Sequence, residues 1–283
     1  MIAAAALSPQ VQALLAPVHV AQLHRIFNRL TMIGVLVATT WLLVSSGLAT
    51  REVLGYAVRP RVFVRQASIG LVSGLALMLL VLVPLFALGI REWNHQLPGD
   101  FEGLLALGLK ALMTGGAVAL VEESFFRGAL QGSMSRHGSA RAAVFLVPLL
   151  YSAIHFFGEA ARVPFEQVTS TSGFTILAGF LRKFAYPKQI ADAFLALYVI
   201  GVLLALIRHY TGNIAGCIGM HAGVAAVITV IRVVSSPGQD SPWMLLVSRF
   251  DHLLGIWVTV VALAACCALW TTASRGKALS KAP

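Results

Sequence analysis

The sequence predicts an all-α, polytopic membrane helical bundle of about seven or eight spans with one re-entrant or interfacial segment. Three observations carry the prediction. The 283 residues are 58% hydrophobic and 11% charged, where an average globular chain carries roughly 25% charge. Mean hydropathy is +0.83. The apolar runs are continuous, without the period-two alternation of a membrane barrel, so the backbone must satisfy itself as helices.

Taken in order, Met1 to Pro17 is rich in Ala and Leu but interrupted by Pro9, Gln10, Gln12 and Pro17, which suits a surface-lying segment. It lacks a basic n-region, so no secretory signal peptide is expected and delivery falls to the first span. That span covers about Leu30 to Ala49, near the ~20 residues a bilayer requires. The second covers Ala67 to Ile90, with Pro84 a kink site. The third helix starts near Phe101 and continues through Arg136, and Ala142 to Phe157 forms the fourth. Gly158 to Ile190 contains only a short apolar stretch, Phe174 to Phe180, and is the re-entrant or interfacial segment. Ala191 to Ile207, Ile214 to Val234 and Leu253 to Trp270 complete the spans, with Asn213 an N-cap for the second of these.

The net charge of +10 comes from cations placed between apolar runs, which argues against nucleic acid and for membrane loops. Arg51–Arg65, Arg136–Arg141, Arg208 and the tail fall on one side, cytoplasmic by the positive-inside rule; Arg25 and Arg29 disagree. The prevalence of arginine over lysine points to a bacterial source, hence an inner (cytoplasmic) membrane. Cys217, Cys266 and Cys267 lie in apolar runs and read as small buried hydrophobes.

The chemistry concentrates in Glu122-Glu123-Ser124-Phe125-Phe126-Arg127. Ionisable side chains inside membranes are costly and mark functional sites. Glu123 and Arg127 are i, i+4 neighbours and form an ion pair, while Glu122, about 100° away around the axis, is the free carboxylate. His155 ends the fourth apolar run and His221 lies inside the sixth. If the third and fourth helices turn at His137-Gly138-Ser139, Glu122 and His155 lie at one depth, ~25 Å of helix from the turn. His221 lies ~12 Å beyond Asn213. A glutamate with histidines in an intramembrane cavity can activate water and stabilise an oxyanion.

Glu-Glu-x-x-x-Arg, the aromatic-x-x-x-His of Tyr151 to His155 and a third motif opening at His221 resemble the CPBP intramembrane protease family. That family includes the CAAX prenyl endopeptidases and bacteriocin-immunity relatives. The resemblance covers roughly Leu104 to Val230. It implies that Glu122 activates water beside His155, that Glu123 and Arg127 are the supporting pair, and that His221 lies on the oxyanion side. Two positions depart from the pattern: Tyr151 replaces Phe, and Ala225 replaces the Asn or Asp of the third motif. Without that donor the chain is slow, uses another group such as Asn213, or keeps the fold for binding alone.

The resemblance implies no obligatory cofactor. Zinc is the alternative, with His155 and Glu159 four residues apart as ligands, although the chain has no His-Glu-x-x-His. The expected partners are the lipid bilayer and a membrane-anchored protein or peptide substrate. The rival readings are an immunity or partner-binding factor, a rhomboid-like protease using Ser73 and His221, and a transporter, for which no inverted repeat is present. Along the chain, residues 1–100 form the N-terminal segment and first two spans, 101–234 the protease-like core, and 235–283 the last span and basic tail.

Overall fold

The computed structural model describes residues 1–16, 22–94, 101–157, 163–238 and 240–279, and the side chains of residues 275–279 lie outside it. The predicted all-α architecture is present: among the described residues, six helices are long and apolar enough to cross a membrane, and two shorter apolar helices accompany them. The chain is thus an integral, multi-pass membrane protein. It divides into two compact units, residues 1–49 with 153–190, and residues 50–152 with 191–283. This division is discontinuous in the sequence.

In the first unit, α1 (Ile2–Leu15) and α8 (Ser172–Leu181) pack with α2 (Leu23–Ser45). Ala4, Ala5, Leu23, Phe27 and Ile176 form its core, and the Phe27 ring meets Phe180 edge-on at 5.3 Å. Gly173 lies against the Ala5 carbonyl, where any side chain would clash. The expected surface-lying N-terminal segment is therefore a helix with its own packing partners. Met32, Leu36 and Trp41 of α2 point outward, as lipid-facing residues do, because a bilayer is as apolar as a core.

In the second unit, α3 (Arg51–Leu54) leads into α4 (Pro60–Ala87), and α5 (Phe101–Glu123) runs through a π-helical segment, Ser124–Leu130, into α6 (Gln131–His137). After the turn at Gly138 come α7 (Ala140–Ile154), α9 (Ala191–Thr211), α10 (Ala215–Val234) and α11 (Ile256–Leu279). Two short strands, β1 (Arg91–Trp93) and β2 (Ser235–Pro237), pair antiparallel after α4 and α10.

Helix α10 is the hub, packed chiefly on α4 and α5. Its small residues explain why. Gly70 and Gly74 of α4 and Gly219 and Gly223 of α10 form two small-xxx-small pairs that bring backbones close. A Cβ on Gly219 would strike the Ala67 carbonyl. Toward α5, Gly115 would meet the Ala226 amide at 3.0 Å.

Arg208 of α9 joins α3 to the segment after α5. Arg208 Nη2 donates to the Val53 carbonyl (3.0 Å), and Nε donates to the Arg127 carbonyl (3.3 Å). Gly55, with φ +79°, makes room for the guanidinium, because a Cβ there would sit 2.9 Å from its carbon. Thr50 caps α3 by accepting from the Val53 amide at 3.3 Å.

Asn213 caps α10 as expected: Oδ1 accepts from the Ala215 amide (3.1 Å), and Nδ2 donates to the Thr211 carbonyl (3.0 Å). Cys217 and Cys266 are buried, but Cys267 is exposed. It falls on the outer face of α11, so the expectation of three buried cysteines fails there.

Candidate functional site

The buried residues of α5 are Ala111, Gly115, Ala119 and Glu123. They recur every four residues and so share one stripe. Three small side chains let α10 approach, and the fourth position puts a carboxylate into the same seam. This rotation makes Glu123, not Glu122, the residue that meets α10.

The π-helical segment begins immediately afterwards. A wider turn, closed by the Gln131 amide donating to the Phe126 carbonyl, spreads buried positions around the axis. Phe126, Arg127, Gly128 and Ala129 are therefore buried in succession. Such segments frequently occur at functional sites.

Glu123 Oε1 accepts from Arg127 Nη1 at 3.1 Å and from His221 Nδ1 at 2.8 Å. Glu123 and Arg127 are completely buried. The expected i, i+4 pair is present, and it has a third member that the sequence spacing did not indicate. Arg127 Nη2 donates to the Gly201 carbonyl at 3.0 Å. Its guanidinium lies over the Tyr151 ring, 4.6 Å from the centroid, a cation–π contact in a desolvated setting. Tyr151 also meets the His221 ring edge-on, at 6.3 Å between centroids. A Cβ on Gly201 would lie 3.1 Å from the Tyr151 ring and 2.9 Å from Pro148, so α9 and α7 approach closely at this level.

An ionised carboxylate only accepts hydrogen bonds. With Nδ1 donating to Glu123, the neutral His221 ring therefore presents a lone pair at Nε2, as in other sites where a second carboxylate sets the tautomer. Nε2 faces Glu122 Oε2 at 4.0 Å. That distance is too long for a hydrogen bond and leaves the two groups free to share a water. Glu122 Oε2 is itself buried without a hydrogen-bond partner among the described residues, while the Glu122 side chain as a whole is 26% exposed. Glu122 is thus the free carboxylate and Glu123 the committed one.

The remaining motif residues fall as follows. His155 stands immediately past the end of α7 and belongs to the first unit, so its role beside Glu122 stays with the proposal below. Glu159 lies outside the described residues. Ala225 faces Gly115 of α5, whose Cβ would sit 3.2 Å from its own. Asn213 is buried and engaged at both side-chain atoms as a helix cap. One contact had no sequence signal at all. Ser124 Oγ donates to the Leu120 carbonyl, so the Tyr56 hydroxyl, 2.6 Å away, donates to Ser124. Tyr56 precedes α4 by only a few residues, and nothing in its neighbourhood marks it.

A catalytic zinc ion takes three protein ligands and an open position. Glu122 Oε2 and His221 Nε2 converge, but His221 Nδ1 is committed to Glu123. No group of three His, Cys, Asp or Glu side chains among the described residues is placed to hold a metal ion.

Compared with known proteins, residues 105–227 match the family model described as type II CAAX prenyl endopeptidase Rce1-like. No curated protein and no solved structure matches the chain. The matched stretch contains Glu122, Glu123, Arg127, Tyr151, His155 and His221, the residues on which the motif resemblance to the CPBP family rests.

Proposed function

We propose that the chain is an intramembrane endopeptidase that hydrolyses a peptide bond near the membrane-anchored end of a protein or peptide. One observation carries the reading: Glu122 Oε2, buried and without a hydrogen-bond partner among the described residues, faces His221 Nε2 at 4.0 Å, while Glu123 holds the same ring at Nδ1. Water held between Glu122 and Nε2 gives a proton to Glu122 as its oxygen bonds to the substrate carbonyl carbon. The proton then passes to the amine nitrogen as the C–N bond breaks, which is general base followed by general acid catalysis. Tyr151 meets the ring edge-on, and Arg127 holds the Glu123 carboxylate that engages Nδ1.

His155 is assigned the place beside Glu122 that the family resemblance gives it. The oxyanion draws on a donor other than residue 225, since Ala225 has none, and the absence of one such donor costs about 10²–10³ in rate. Catalysis is metal-independent in this reading. The protein is placed in a bacterial inner membrane, with the Arg51–Arg65 end cytoplasmic.

Ala225 also supports a second reading, in which the same fold binds a partner as an immunity or partner-binding factor without cleaving it. The test is cleavage of a membrane-anchored peptide by purified wild type, Glu122→Ala and Ala225→Asn, with and without chelator. Cleavage by wild type that survives chelation and vanishes in Glu122→Ala is the expected result. Activity only in Ala225→Asn overturns it in favour of the binding reading, and loss on chelation overturns metal independence.

A further inference from the structure

Away from the Glu123–His221 seam, α4 and α11 diverge over a cleft of about 1160 Å³ whose floor is formed by α9 and α10. The cleft is almost wholly apolar along its length. Ser73 on α4 and Ala264, Ala265 and Ala268 on α11 are small and leave it open. Near its far end the Trp257 indole Nε1 donates to the Val81 carbonyl at 3.2 Å, tying α11 to α4. From that clasp to Arg65 is 16 residues of α4, roughly 24 Å of helix, more than one leaflet of a ~30 Å hydrocarbon core.

The mouth differs from the body. Arg65 lines it, is exposed, and has no ion pair or hydrogen bond among the described residues. Beside it the Gln66 Oε1 atom is buried without a hydrogen-bond partner. A buried acceptor without a donor costs free energy until one arrives. The two groups together request an anion and a donor hydroxyl, next to a slot that only a hydrocarbon chain suits.

We propose that this cleft binds an anionic glycerophospholipid with a hydroxyl-bearing head group. One acyl chain lies between α4 and α11, the phosphate meets Arg65, and a head-group hydroxyl donates to Gln66. The net negative charge favours this occupant beside an unpaired cation, and phosphatidylcholine in particular has no hydrogen-bond donor for Gln66. Met220 forms part of the floor and precedes His221, so the bound chain touches the turn that carries the candidate histidine.

The test needs no protease assay. Full-length protein in nanodiscs is photolysed with phosphatidylglycerol or phosphatidylcholine carrying a diazirine in the acyl chain, and labelled residues are mapped by mass spectrometry. Phosphatidylglycerol is expected to label α4 and α11 at the cleft in preference to phosphatidylcholine. Arg65→Ala lowers that labelling roughly fivefold, the effect of one basic residue near an anionic surface, while Arg61→Ala, one turn away and outside the cleft, lowers it less. Ala265→Trp, which fills the slot, abolishes it. Equal labelling by the two lipids, labelling indifferent to Ala265→Trp, or cross-links from the cleft to a second copy would overturn the proposal.

Discussion

Truncating Glu123 should unfold the protein far more readily than truncating its neighbour Glu122, although the two are adjacent and chemically identical. In Glu123→Ala, Arg127 loses its 3.1 Å carboxylate partner and His221 loses its 2.8 Å one. The guanidinium stays fully buried, keeping only the Gly201 carbonyl and the face of Tyr151. Leaving one member of a buried pair unpaired costs about 3–5 kcal/mol, a large part of the roughly 5–15 kcal/mol that holds a domain together. At 2–4 °C per kcal/mol for a unit of this size, the loss in Tm is on the order of 10 °C.

Glu122 makes no such contacts and is partly exposed, so Glu122→Ala should shift Tm by about 2 °C or less. The assay is thermal unfolding in detergent with a thiol-reactive dye: Cys217 and Cys266 are buried and report unfolding, whereas Cys267 is exposed and sets the baseline. A Glu123→Leu, Arg127→Met double variant should recover most of the loss, because replacing a whole buried pair with apolar groups is often neutral or stabilising. Equal shifts for Glu122→Ala and Glu123→Ala, or a double variant worse than the single, would refute the division of labour between the two carboxylates.

Other expectations are shorter. Gly219→Ala should cost about 1–3 kcal/mol by overpacking α10 on α4, read as a lowered midpoint in the same dye assay; a neutral result would deny the close backbone contact. Asn213→Ala should cost about 1 kcal/mol through the lost α10 cap, with no separate change in the affinity for a substrate peptide. Burial pushes the Asp251 carboxyl, in the loop before α11, above the usual carboxylate range, and the Leu253 and Leu254 amides, with nearby Arg232, only partly oppose this. The folded state then holds that proton more tightly than the unfolded one. Stability from this group falls as pH rises from the ordinary carboxylate value through the raised one, and the penalty is fully present above it. Asp251→Asn, whose Oδ1 can still accept from the Leu253 and Leu254 amides, should flatten that dependence in denaturation midpoints measured across the acidic range.

Much of the molecule is legible in the linear sequence because the forces involved are local or solvent-averaged. Hydropathy alone reports the membrane class, since no polar backbone can lie unpaired in lipid. The Glu123–Arg127 pair follows from helical geometry within one turn, and the Asn213 cap from the chemistry of a helix start.

What only the tertiary structure decided depends on how helices rotate about their own axes when small residues lock their backbones together. A rotation of about 100° separates consecutive residues, so whether Glu122 or Glu123 meets His221 is settled by the contacts of Gly115, Gly219 and Gly223, not by either residue's neighbours. The same packing seats Tyr151 between Arg127 and His221, and brings Tyr56 to Ser124 across 68 residues. It also opens the cleft between α4 and α11. Sequence determines which residues each helix can offer; the packing of α10 against α4 and α5 decides which of them meet.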